Sequence, residues 1–170
     1  MDIKTQILEA QKLIVDNLAQ CEESIAELYA AYGNSFPEMM DFWQTLSNDE
    51  TAHAHLLKTL HKQLEQGYIF NNIGRFDKPA IDAFITKSKS ELAVLKEKPV
   101  SVSHAITLAL SMEASLVEGH FYEIVTSDAP EYQIIADYLT KATNFQIELI
   151  RKQFLKQKSR NAPNVFSPPL

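Results

Sequence analysis

Apolar residues recur along most of the chain at alternating steps of three and four, which is the spacing of one buried helix face. The pattern predicts four long helices, at about residues 3–32, 35–66, 101–125 and 130–158. Gly33-Asn34 is a typical helix end, and Ser35 with Pro37 is a typical helix start. A shorter helix is predicted at about residues 79–96, after a loop at 67–78.

The order of these elements predicts an all-α fold. Short links join the first helix to the second and the third to the fourth, and a long connection containing the short helix joins the two pairs. This order is typical of a four-helix bundle with one crossover between helices 2 and 3. We expect one bundle domain at residues 1–158, followed by an irregular tail at 159–170 that contains three prolines.

Two polar residues interrupt the apolar face of the second helix. Glu50 and His53 continue the series formed by Trp43, Leu46 and Leu57. Residues three apart lie on the same side of a helix, so both side chains are expected to point into the core. Burial of an unpartnered charged group costs several kcal/mol, so these residues need a partner.

Each of the other long helices also carries a polar residue on its buried face. Glu22 lies on the first helix and Glu113 on the third, while Thr143 and Gln146 lie on the fourth. Glu23 would replace Glu22 if the first helix were rotated by one residue. Glu22 is preferred because it shares a face with the apolar residues Leu18, Ile25 and Tyr29.

The predicted faces hold three carboxylates and no lysine or arginine. Three such groups cannot all stay ionised in one apolar interior, so either they take up protons or a cation binds among them. Oxygen and imidazole ligands suit iron, manganese or zinc. Cys21 is the only cysteine, which excludes a thiolate-rich metal centre and an internal disulfide.

Three stretches carry a resemblance to a known family. They are Glu22-x6-Tyr29, Phe42-Trp43-x-x-Leu46-x-x-x-Glu50-x-x-His53 and Ala105-x3-Ala109-x3-Glu113. In this order, over about residues 8–157, the chain resembles the rubrerythrin-like branch of the ferritin-like superfamily. The resemblance implies a carboxylate-bridged dimetal bundle that reduces oxygen or peroxide at iron. Rubrerythrins often carry a rubredoxin domain with paired Cys-x-x-Cys motifs, which the single cysteine of this sequence does not allow. We therefore expect an electron donor to be a separate protein, and we expect a homodimer.

The fourth helix departs from the family pattern. The family has a Glu and a His where this chain has Thr143 and Gln146, and both are weak ligands. Glu148 is close in sequence but points to another face. His120 lies about two turns from Glu113 and is either a core histidine or a ligand of a displaced site. The expected metal ligands are therefore Glu22, Glu50, His53 and Glu113, with one ion favoured and a second left open.

These observations lead to two functional hypotheses. The first is a metal-binding ferritin-like protein with a role in iron handling or in peroxide and oxygen defence. The second is a non-enzymatic bundle with a vestigial metal site and a structural or protein-interaction role. The net charge of −6 disfavours nucleic-acid binding, and no apolar run is long enough for a membrane span. We expect no signal peptide and a cytoplasmic location.

Overall fold

The computed structural model describes residues 2–66, 78–118, 122 and 130–161. Within this part of the chain there are five α-helices and no strand, so the predicted all-α class is confirmed. The helices are α1 (Ile3–Ser35), α2 (Met40–Leu64), α3 (Lys78–Glu97), α4 (Val102–Glu118) and α5 (Pro130–Asn161). None of the described helices is both long enough and apolar enough to cross a membrane.

The junction between α1 and α2 differs from the prediction. α1 continues through Gly33, and the N–H of Phe36 donates to the carbonyl of Tyr32 at 2.9 Å. Gly33 lies within α1 and faces α2, where a Cβ on Gly33 would lie 3.4 Å from Cβ of Trp43, so this glycine does not end the helix. The prediction that Ser35 caps the second helix is wrong, because its hydroxyl donates back to Ala31 at 2.9 Å.

A short 3-10 turn connects these two helices. It spans Pro37–Met39, and the proline occupies its first turn as predicted. At the other end of α1, the carboxylate of Asp2 accepts a hydrogen bond from the N–H of Thr5 at 2.7 Å. This contact satisfies one of the free N–H groups of the first turn.

α1 lies against two other helices and is buried on several sides. It packs along α2 and also contacts α3, whereas α4 packs against α5 and α2 contacts α5. The aromatic ring of Trp43 fills the space beside α1, with centroids 5.7 Å from Tyr29 and 4.9 Å from Tyr32. These contacts hold α1 and α2 at a fixed rotation relative to each other, which orients the polar residues that both helices carry.

The predicted buried face of α2 is confirmed. Leu46, Glu50, His53, Leu57 and Leu60 are all at most 1% exposed. α5 extends to Asn161, three residues beyond the predicted end at Lys158. Three predicted segments lie wholly or mostly outside the described residues: the 67–78 loop, the part of the predicted third long helix that follows the end of α4 at Glu118, and the tail beyond Asn161.

Candidate metal centre

A layer of buried polar side chains crosses the core. All six residues that periodicity predicted to point inward are at most 1% exposed: Glu22, Glu50, His53, Glu113, Thr143 and Gln146. They lie on α1, α2, α4 and α5, so four helices contribute to one interior. The periodicity of each helix therefore predicted the burial of these groups correctly.

Glu22, Glu50 and His53 form the most compact part of this layer. Each offers one ligand atom, and the three atoms lie within 4.8 Å of one another. His53 Nδ1 is 3.2 Å from Glu50 Oε2. Glu23 instead pairs with Lys58 at the surface, so the choice of Glu22 as the inward residue is confirmed. Two oxygens and one nitrogen in a buried position are a donor set that suits iron, manganese or zinc.

Thr143 and Gln146, which lie on the predicted fourth long helix and therefore on α5, make hydrogen bonds within the layer. Gln146 donates its Nε2–H to Glu50 Oε1. Thr143 donates its hydroxyl to the hydroxyl of Tyr122 at 3.4 Å. Glu50 is therefore held on one oxygen by a neutral amide and on the other by the imidazole of His53. The amide of Gln146 donates a hydrogen bond to Glu50. An imidazole or carboxylate at this position that was bound to a metal would not donate to Glu50.

Glu113 lies outside the compact cluster. The hydroxyl of Tyr29, a core aromatic residue, donates to Glu113 Oε1 at 2.6 Å. The charge of Glu113 helps to raise the pKa of Glu50. The role of Glu113 as a metal ligand stays a prediction.

Tyr122 is a member of the layer that the sequence did not reveal. Its hydroxyl donates to Glu22 Oε1 at 2.5 Å, and its side chain is 2% exposed. On a continuous helix a residue nine positions after Glu113, about two and a half turns, lies on the opposite face. Tyr122 is not part of α4, so helical periodicity carried no signal for it.

Burial favours the protonated form of the three carboxyl groups, because it raises the pKa of each. It raises the pKa of Glu50 to about 8, and the charge of Glu113 adds to this effect. Burial also raises the pKa of Glu113 to about 8. The pKa of Glu22 is raised well above its usual range by burial, by the charge of Glu50 and by a hydrogen bond shared with that carboxylate. A proton between Glu22 and Glu50 is the metal-free solution to their proximity.

Three oxygen atoms of the polar layer have no hydrogen-bond partner of fixed geometry within the described part of the chain. They are Glu22 Oε2, Glu113 Oε2 and Gln146 Oε1. When the carboxyl groups are ionised each of these atoms is an acceptor, and a buried acceptor without a donor costs about 1–3 kcal/mol. A cation bound by Glu22, Glu50 and His53 would remove the cost of ionising their carboxyl groups. The residues present therefore fit a metal ion.

Three other histidines and Glu148 lie apart from this layer. His55 and His104 are exposed, and His61 is partly exposed with its Nδ1 2.7 Å from Asp16 Oδ1. Glu148 is exposed and pairs with Arg151 at 2.8 Å, which confirms that it points to another face. Cys21 is buried in the core. His120 lies outside the described residues.

Comparison of the chain with protein-family models, with curated proteins and with solved structures finds no match. The resemblance to rubrerythrins therefore depends on the motifs of the sequence alone.

Proposed function

We propose that this protein binds one transition-metal ion, with iron as the first candidate, in the core of a ferritin-like bundle. The observation that carries the proposal is the convergence of Glu22, Glu50 and His53. Their ligand atoms lie within 4.8 Å of one another, and all three side chains are at most 1% exposed. Within the described part of the chain, the hydrogen bonds of Glu22 and Glu50 pair neither carboxyl group with a lysine or arginine, and two such groups in an apolar interior favour the binding of a cation.

Hydrogen bonds between distant helices support the four-helix arrangement. Tyr29 and Glu113 link α1 to α4, while Gln146 and Glu50 link α5 to α2. α3 follows α2 and precedes α4, as the crossover of a ferritin-like bundle would. Four helices that share one polar layer, with a fifth in the long connection, are the arrangement that we propose.

The layer supports one ion better than two. Glu22, Glu50 and His53 offer two oxygens and one nitrogen, and we propose Glu113, which lies outside this cluster, as a further ligand. A second ion would have to use the hydroxyl of Thr143 or the amide of Gln146, both of which already hydrogen-bond within the layer. Neutral groups of this kind are weak ligands for divalent cations.

A bound iron would supply one-electron redox chemistry. The described residues would hold it in a position shielded from water, with the hydroxyls of Tyr122 and Tyr29 fixing the orientation of Glu22 and Glu113. A single iron needs a further electron for the two-electron reduction of peroxide, so a separate donor protein would be required. We therefore propose a role in iron handling or in peroxide and oxygen defence.

The hydrogen bond from Gln146 to Glu50 favours a second candidate function. Neutral donors meet an oxygen of each carboxyl group: Tyr122 at Glu22, Gln146 at Glu50 and Tyr29 at Glu113. Protonated carboxyl groups in such a network are stable without metal. Under this alternative the protein is a structural or interaction bundle whose metal site is vestigial.

Metal stoichiometry separates the two functions. The full chain, reconstituted anaerobically with Fe(II), Mn(II) or Zn(II) and then desalted, is expected to retain about one ion per chain by elemental analysis. Glu22→Gln removes one ligand charge and is expected to weaken retention at least about tenfold. Glu23→Gln is the matched control, because its side chain is the exposed neighbour and faces Lys58.

Each outcome of the metal analysis is informative. Two tightly held ions per chain would show that the one-metal assignment is wrong. No retained ion under any loading condition would leave the structural function. Equal loss of metal in the Glu22→Gln and Glu23→Gln variants would show that binding occurs at the surface.

A further inference from the structure

α5 carries a second, outward face with a regular spacing. Seven positions at alternating steps of four and three make up what we call the outer stripe: Ile134, Tyr138, Lys141, Phe145, Glu148, Lys152 and Leu155. All seven are exposed, and the four large apolar side chains among them are between 52% and 67% exposed. This is the repeat by which two helices pack along a shared seam.

The outer stripe is chemically self-complementary about its centre. Phe145 stands at its centre, with Lys141 on one side and Glu148 on the other. Further out, Tyr138 is matched by Lys152, and Ile134 by Leu155. If the stripe meets a copy of itself in the antiparallel direction, each member faces a compatible group: aromatic on aromatic, cation on anion, cation on an aromatic ring, and apolar on apolar.

We propose that this face is the interface of a homodimer, in which α5 packs antiparallel against α5 of a second copy about a two-fold axis beside Phe145. A two-fold interface brings one patch against itself, so a contact made once is made twice. Each Lys141 would face Glu148 of the second copy, and the two Phe145 rings would meet at the axis. A partner of unrelated sequence would not require the two halves of the stripe to match.

The surface beside the stripe extends the same interface. A groove of about 690 Å³ lies between α2 and α5, and its lining includes Ala52, Leu56, Ile134 and Tyr138. The stripe itself is about 32 Å long at 1.5 Å per residue. In the antiparallel arrangement, Leu155 of the second copy lies opposite Ile134, at this groove. The groove therefore enlarges the apolar area available at each end of the helix pair.

The charged members of the stripe are free to exchange partners. Glu148 pairs with Arg151 one turn away, but both side chains are more than half exposed. Exposed pairs of this kind contribute little to stability, so contact with Lys141 of a second copy is not opposed by a strong interaction. One apolar member of the stripe also contacts α2: the ring of Tyr138 packs edge-on against the imidazole of His53, with ring centroids 6.3 Å apart.

Sedimentation equilibrium of the full chain tests the proposal. The wild-type protein is expected to be a dimer at about 10–100 μM. Phe145→Glu places two like charges at the axis and is expected to raise the dimer dissociation constant by about 100-fold or more. Leu13→Glu is the matched control, because Leu13 is an exposed apolar residue on α1, at 52% exposure. Circular dichroism checks that both variants remain helical.

Charge reversal distinguishes this interface from any other dimer. Lys141→Glu and Glu148→Lys, each alone, would place like charges opposite each other and are expected to weaken the dimer about tenfold. The double variant restores both contacts and should return the dissociation constant to within about threefold of the wild type. A monomeric wild type, a dimer insensitive to Phe145→Glu, or failure of the double variant to recover would overturn the proposal. A monomer would assign the outer stripe to a different partner.

Discussion

At the scale of single residues, Glu50 is the position where burial, charge and hydrogen bonding act most strongly against one another. Its carboxyl group is fully buried, accepts from Gln146 at one oxygen and lies 3.2 Å from His53 at the other. Burial and the charge of Glu113 raise its pKa to about 8. The proposed metal-binding function would explain why an acid is placed where a neutral residue would be less costly.

Replacement of Glu50 by its neutral amide tests this balance. In the metal-free protein, Glu50→Gln is expected to raise the free energy of unfolding near pH 8 by up to about 4 kcal/mol, because the cost of keeping a carboxyl group protonated or burying its charge disappears. Near pH 4.5 the gain should vanish. Urea unfolding followed by circular dichroism measures both values.

The same variant should lose bound metal. Stability without metal and affinity for metal would then change in opposite directions at one residue, which is typical of a functional site. Glu23→Gln, as the control, should change the free energy of unfolding by less than about 0.5 kcal/mol at either pH. If Glu50→Gln destabilises the metal-free protein near pH 8, the carboxyl group has a structural role that this balance does not include.

At the scale of elements, α5 has an inner face that is buried and an outer face that is exposed. Its inner face carries Leu139, Thr143, Gln146 and Ile150 into the core, where each is at most 1% exposed. Its outer stripe points to solvent. The inner face has the spacing of the Glu50 and His53 pair on α2 but lacks ionisable groups. α2 and α5 therefore share the spacing of these positions and differ in whether the side chains there are strong metal ligands.

Restoring the ligands on α5 should create a second metal position. Thr143→Glu with Gln146→His is expected to raise retained metal from about one ion per chain toward two, since both positions are buried in the polar layer. Elemental analysis after anaerobic loading measures the change. Asn144→Glu adds an acid on the same turn but at an exposed position and should leave the stoichiometry unchanged. Unchanged occupancy in the double variant would show that these positions do not correspond to ligand positions of the family.

At the scale of the whole molecule, the buried carboxyl groups link stability to pH. Glu50 and Glu113 hold protons in the folded state up to about pH 8, whereas glutamates in the unfolded chain release theirs near 4.5. The folded state binds more protons across this window, so the metal-free protein should lose stability as the pH rises from about 4.5 to about 8. The slope is at most about 1.4 kcal/mol per pH unit for each group.

Metal should reverse this trend. Its ligands must lose their protons to bind, so the affinity is expected to increase with pH over the same range. At a free metal concentration 100 times the dissociation constant, binding adds about 2.7 kcal/mol to the free energy of unfolding. Thermal unfolding with chelator and with Mn(II), at about pH 5 and about pH 8, measures both effects. A stability that rises with pH in the presence of chelator would contradict the protonated state of the layer.

Helical periodicity alone was enough to predict the all-α class and the inward direction of the polar residues. Glu22, Glu50, His53, Glu113, Thr143 and Gln146 could each be placed on a buried face because side-chain direction repeats every 3.6 residues along one helix. That repeat is a local property, so no knowledge of the neighbouring helices was needed. The choice between Glu22 and Glu23 followed from the same rule.

The hydrogen-bond partners of these residues follow from the way the helices pack. Tyr29 bonds to Glu113, Gln146 to Glu50 and Tyr122 to Glu22, between residues that are 84 to 100 positions apart. Such pairs depend on the rotation and height of one helix relative to another, which the periodicity of a single helix does not record. For the same reason, the contact between Gly33 and Trp43 could not be predicted from either helix alone. Local spacing shows that a side chain is buried, and packing between helices selects its partner.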